Sequence, residues 1–233
     1  MIHLVKPPFG LAFYFDGNDY IEISSSLLDF SKYSAYTIVA WVMRTSTGAG
    51  GFIGYHPPSG SAYRSPSMWF YPSENDFHFG HGDGSAWRST VVSGILGMNK
   101  WFMLAIRWSI STGVIEGFVN GSKVGEVSAP NPPASNTTYH IGRVDSYHKG
   151  LIPEARVYNR FLSDTELADL YNIRRDIKDG LILKLSTYGL VRGGGSKWLD
   201  ESGNGLHGTV NGAIRVRCCH CNPIMKFGTA TPI

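Results

Sequence analysis

The side chains in this sequence best suited to chemistry are aromatic, imidazole and guanidinium groups rather than clustered carboxylates. Tyr55, His56, Tyr63, Trp69, His78, His81, Asp83, Trp87 and Arg88 fall within one stretch rich in Gly, Ser and Pro, and Asp145, Tyr147 and His148 form a second group. A carbohydrate site stacks an aromatic face on the apolar side of a pyranose and surrounds it with planar polar groups, and these residues supply both parts. Trp87 follows a Gly-Asp-Gly turn and is flanked by Ser85, Ala86 and Arg88, which favours an exposed ring. Trp69 and Tyr71 also read as core residues.

Two clusters could hold a metal. Asp16, Asn18 and Asp19 share one polar turn, and calcium takes oxygen ligands from such turns. Asp and Asn in turns also simply bond their own backbone. Near the end, Cys218, Cys219, His220 and Cys221 carry soft ligands. On a strand, however, Cys219 and Cys221 share one face while Cys218 and His220 share the other, unlike the separated C-x-x-C knuckles of zinc sites. Buried thiols, a disulfide within the cluster or to another chain, and zinc are the alternatives. Hydrolytic chemistry has less support. No G-x-S-x-G elbow occurs, Glu154 has no acidic neighbour two or four residues away, and Asp164 and Glu166 belong to a helix cap.

The elements that must position these groups are mostly strands. FYFDGNDYIEI at 13 to 23 reads as strand, turn, strand. TIVAWVM at 37 to 43 is apolar on both faces, as in an interior strand, with Trp41 in the core. KWFMLAIRWS at 100 to 109 is a second central strand. Asn120 and Gly121 separate two strand-like runs, which predicts a type I′ hairpin because both positions tolerate positive φ. APNPPASNTT at 129 to 138 is a loop whose prolines limit pairing. Leu151, Pro153, Ala155 and Val157 alternate with Ile152, Glu154, Arg156 and Tyr158, the pattern of a strand with two different faces. A helix near 163 to 172 follows, with Ser163 and Glu166 forming a capping box and Leu162 placed to staple against Leu167.

The chain has 233 residues, 28 of them Gly, with 13% aromatic and only 17% charged residues, a turn-rich composition that fits one all-β domain. The net charge of +3 comes from scattered Lys and Arg, which argues against nucleic acid as a partner. No run reaches the roughly 18 apolar residues of a membrane span, and no signal peptide is visible at the start.

Several segments, taken together, resemble a known family. IGR at 141 to 143, GLIPEARVYNR at 150 to 160 and LSDTEL at 162 to 167 follow one another as in laminin-G-like domains of the concanavalin A-like lectin/glucanase superfamily. FDGNDYIEI resembles that family's opening strand pair, and FVNGSKVG its Y-V-N-G hairpin. Pro153 stands where the family pattern usually carries Asp. The resemblance implies an antiparallel two-sheet jelly-roll sandwich. Family members that cleave glucans carry an E-x-D-x-x-E strand, whose acid and nucleophile must lie about 5 Å apart for retaining hydrolysis. This sequence has no such strand. Members also often hold calcium near the sheet rim, which keeps Asp16, Asn18 and Asp19 as its first choices here.

The order of segments departs from the pattern. DESGNGLHGTVNGA at 200 to 213 resembles the segment with which such domains begin, yet here it comes last. A single domain over 1–233 is expected, with a body at 9–172 and closing strands at 180–228, through circular permutation rather than a truncated second repeat. A half repeat would leave an apolar sheet edge exposed. This order also resembles structural proteins of thermophile viruses and phages.

The expected function is a non-enzymatic recognition module, extracellular or on a virion surface, that attaches to a glycan or a host surface protein. A purely structural capsid, spike or filament protein, partnered by other virion or filament subunits, is the alternative. A glycan-cleaving enzyme ranks last.

Overall fold

Period-two patterning sets most of this chain into strands. The computed structural model describes residues 10–71 and 75–217, so Cys218, Cys219 and Cys221 lie outside the described residues. The first strands are β1 (Leu11–Asp16), β2 (Tyr20–Ser24), β3 (Ala35–Arg44) and β4 (Gly50–Gly54). The aromatic-rich middle forms β5 (Ser67–Tyr71), β6 (Asp76–Gly82) and β7 (Trp87–Val92). Next come β8 (Phe102–Ser109), β9 (Val114–Val119), β10 (Ser122–Ser128), β11 (Thr138–Ile141) and β12 (Lys149–Tyr158). Helix α1 (Asp164–Asn172) precedes β13 (Leu181–Leu185), α2 (Thr187–Arg192), β14 (Lys197–Trp198), β15 (Gly208–Asn211) and β16 (Ile214–Arg217).

The strands form two antiparallel sheets packed as a sandwich. The first runs β10-β9-β8-β3-β12-β1-β16, with β13 also pairing β12, and the second runs β14-β15-β2-β11-β4-β5-β6-β7. The main core lies between them, filled by Phe13, Phe15, Tyr36, Phe52, Phe70, Phe77, Phe79, Trp108 and Tyr139. At Asn120 and Gly121, φ is +52° and +82°, the two positive values that a type I′ hairpin requires.

β12 is divided between two partners: Phe13 of β1 faces Ile152, while Leu185 of β13 faces Ala155. Its register against β3 shifts between Leu151 and Glu154, and Pro153, which has no N–H to give a ladder, sits at that shift. The expected two-faced character of this strand is corrected by burial on both sides from Gly150 to Tyr158. At the Tyr158 end the cause is a second, smaller core outside the first sheet. There Leu162, Leu167, Leu170 and Ile177 cover Val39, Trp41, Met103 and Tyr158. Trp41 stacks on Tyr171 at 5.7 Å in this layer.

Helix α1 starts as its sequence dictates. The Ser163 hydroxyl accepts from Glu166 N–H and the Glu166 carboxylate accepts from Ser163 N–H, a complete capping box. Among the described residues no helix is long and apolar enough to cross a membrane.

Candidate functional site

The outer face of the second sheet is built by simple alternation. Along β5, Met68 and Phe70 point between the sheets, which turns Trp69 and Tyr71 to the other face, where Trp69 is itself buried; along β6, Phe77 and Phe79 point between the sheets, which turns His78 to that same face. Cross-strand register then sets Trp69 beside His78 and Trp87 beside Gly82. The rings meet: Trp69 and His78 centroids are 4.1 Å apart, and Trp69 stacks on Trp87 at 5.5 Å with 30° between planes. Tyr71, 41% exposed, stands edge-on to His78 at 5.2 Å.

Two loops lie on this face because glycines leave room for them. A Cβ on Gly82 would run into the Ala62 carbonyl, and one on Gly51 would run into the backbone nitrogen of Val144. The first loop delivers Arg64 and the second delivers Asp145. Arg64, only 7% exposed, lies against both stacked rings, 5.1 Å from Trp69 and 4.7 Å from Trp87, a cation–π contact of the kind worth up to about 2 kcal/mol when desolvated. Its Nη2 donates to Asp145 Oδ2 at 2.9 Å.

Hydrogen-bonding capacity remains unspent around this stack. His56 Nε2, Arg64 Nε, His78 Nδ1 and Trp87 Nε1 are buried and make no hydrogen bond within the protein. Burial, aided by the Arg64 charge, pushes the His78 imidazole down to about 4, so the ring is neutral at pH 7 and can donate from one nitrogen and accept at the other. His56 is lowered by the same two causes. A neutral imidazole pair, an indole N–H and a guanidinium are suited to hydroxyl groups, which both donate and accept.

The aromatic row continues toward β2. Tyr20 and Tyr55 pack on His140 at 4.9 and 5.0 Å, and Arg143 lies over Tyr147 at 5.0 Å and Tyr20 at 5.4 Å. His140 Nε2 is 3.3 Å from Glu22 Oε2.

The residues expected to act together are thus only partly assembled. Trp69, Trp87 and Asp145 converge, Tyr147 joins the neighbouring patch, and Tyr63 stands 44% exposed on the first loop. Arg88 and Asp83 are occupied with each other at 2.8 Å, and Asp83 also closes its own turn by accepting Ser85 and Ala86 N–H. His81 faces the opposite side of β6, fully buried, with Nδ1 3.0 Å from the Tyr36 hydroxyl. His148 is likewise buried between the sheets, against Phe15, Phe52 and Phe70. Arg64 and Arg143 were not among the expected residues. The signal for Arg64 was present: it is the sole Asp, Glu, Lys or Arg from residue 45 to 73.

In the turn of Asp16, Asn18 and Asp19, both carboxylates already serve the backbone. Asp19 Oδ2 accepts Asp16 N–H at 2.8 Å and Asp16 Oδ1 accepts Asn18 N–H at 3.2 Å. Calcium takes six to eight oxygens, and among the described residues no group of three or more His, Cys, Asp or Glu side chains is placed to hold a metal. Glu154 is held by Arg156 at 2.7 Å and Arg174 at 2.7 Å.

With fold and surface described, the family follows from sequence. The pattern of a laminin-G family within the concanavalin A-like lectin/glucanases superfamily matches residues 15–168. The chain belongs to that superfamily. No curated protein sequence matches this concanavalin A-like chain. Among solved structures, a candidate carbohydrate-binding protein from Bacteroides ovatus superposes with a TM-score of 0.71 at 18% identity, over 93% of this chain and 62% of its own. The chain therefore spans about three fifths of that protein's length. The heptameric SAP-like pentraxin of Limulus polyphemus follows with a TM-score of 0.55 at 13% identity, over 74% of this chain and 91% of its own. The CBM40 of the Ruminococcus gnavus IT-sialidase, solved with α2,3 sialyllactose, has a TM-score of 0.54 at 15% identity, over 69% and 95%. At these identities the likeness concerns the concanavalin A-like fold.

Proposed function

We propose that this protein is a non-enzymatic recognition module that binds a glycan on the outer face of its second sheet. The observation carrying this reading is the Arg64 stack: an arginine packed against the stacked rings of Trp69 and Trp87, with its own Nε and three neighbouring polar atoms unspent and the exposed ring of Tyr71 alongside. Half-buried Trp87 and exposed Tyr71 present ring surface to a pyranose, while His56, His78 and Arg64 serve its hydroxyls. The names borne by structural relatives, a candidate carbohydrate-binding protein and a sialyllactose-bound CBM40, point the same way. The pairing of Glu154 with two arginines supports a binding rather than a hydrolytic role. The natural setting for such a module is outside the cell, and the segment order favours attachment from a virion surface.

A glycan array tests the proposal. Binding by the intact chain that disappears in Trp87→Ala, with the fold retained by circular dichroism, is the expected result. Self-assembly into particles or filaments with an empty array would replace it with the structural reading, and release of reducing ends from polysaccharides would replace it with an enzymatic one.

A further inference from the structure

A separate cavity of about 290 Å³ opens at one end of the sandwich, between the sheets. It lies where β1 and β3 end and β4 and β12 begin, and its lining includes Asp16, Arg44, Ser46, Tyr147, His148 and Lys149. Two of these groups are buried yet incompletely paired. Arg44 is 3% exposed and lies over Phe70 at 5.0 Å. Its Nη2 donates to Asn75 Oδ1, whereas its Nε and Nη1 make no hydrogen bond. His148 is fully buried and stacks on Phe70 at 5.9 Å; its ring approaches the Met43 backbone, but neither ring nitrogen completes a well-formed hydrogen bond.

A buried guanidinium with two unpaired nitrogens is costly unless an anion or acceptor joins it. Asp76 lies close enough to favour the charged form of Arg44, but its Oδ1 accepts Gly94 N–H and it does not line the cavity. Around the cavity itself, Arg44 and Lys149 are positive, Asp16 is negative, and His148 is neutral because burial, with Arg44 nearby, pushes it down to about 3. One net positive charge matches a single negative charge better than two. The volume is at the small end for ligand sites, enough for one compact acid.

We propose that this rim cavity binds a small carboxylate, with Arg44 and Lys149 meeting its charge and Ser46, Tyr147 and His148 offering neutral partners. The site shares Tyr147 with the neighbouring aromatic patch, but it does not rest on the glycan reading.

The test is a titration of the full chain, followed through the Arg44 Nε–H and His148 ring signals by NMR, with acetate, glucuronate, glucose, inorganic phosphate and chloride as probes. Acetate and glucuronate are expected to move both signals saturably, and glucose and chloride to leave them in place. Arg44→Gln should weaken acetate binding by at least about tenfold, the loss expected for one charge-assisted hydrogen bond, while Trp87→Ala should not change it. If Arg44→Gln does not fold, the signals of the unmutated chain decide. Absence of a saturable shift, equal shifts with chloride, or tighter binding of phosphate than of acetate would each overturn the proposal.

Discussion

Arg64 and Asp145 stand 81 residues apart in sequence and 2.9 Å apart in space, and their ion pair fastens two loops across the aromatic face. The pair is lopsided: the Arg64 side chain is 8% exposed and that of Asp145 is 39% exposed. Removing Asp145 leaves a buried cation without its partner, whereas removing Arg64 leaves an anion that water can reach. Asp145→Ala is therefore expected to cost about 1 kcal/mol, at the low end for broken pairs because solvent screens the carboxylate. Arg64→Met, which keeps an unbranched chain against the rings, should relieve most of that cost in the double variant. Urea unfolding of the two single variants and the double variant measures this directly.

Gly51→Ala should act on the same loop from below. The added methyl meets the Val144 backbone, which cannot swing aside as a side-chain tip can, so the loop carrying Asp145 must shift. A destabilisation of about 1–3 kcal/mol and loss of glycan binding are expected. A structure of the variant with that loop unmoved would contradict the account.

The capping box offers a control distant from the site. Ser163→Ala should lower stability by about 1 kcal/mol and leave array binding unchanged, because α1 packs on the opposite sheet. Thermal denaturation and the array together provide the check.

Acid should weaken the fold in two stages. Burial holds His78 and His81 down to about 4 and His148 to about 3, against 6.5 in the unfolded chain, so these groups are neutral when folded and protonate on unfolding. Folded pKa values below unfolded ones give stability that is present above pH 6.5 and is lost as pH falls toward 4 and 3. Glu166, lowered to about 2 chiefly by its hydrogen bond from Arg160, adds a second loss as pH falls from 4.5 to about 2. Urea midpoints measured from pH 8 to 2 should decline through both windows, and Glu166→Gln should flatten the lower one. Signals of His78, His81 or His148 that titrate near 6.5 in the folded chain would contradict the first stage.

Local rules made part of this legible in advance. The Asn120-Gly121 turn and the Ser163 capping box are decided within a few residues, and both formed. The separation of His78 from His81 was also readable, since an offset of three in a strand puts two side chains on opposite faces. The position of Arg64 was not, because it depends on its loop lying across the sheet at Gly82. The burial of β12 on its outer face came from Leu162 and α1 covering Tyr158, from Leu151 packing with Ala12 and Met43, and from Arg174 and Asp176 pairing with Glu154 and Arg156, packing choices that the strand's own alternation does not encode.

The pairing of β1 with β16 has a consequence for how the protein is made. Leu11 faces Arg217 across that ladder, so β1 leaves the ribosome long before the strand that covers its edge. Contacts of such long range slow folding and prolong the life of half-closed species. During that wait, the unpaired side of β1 would be the surface a chaperone has to guard.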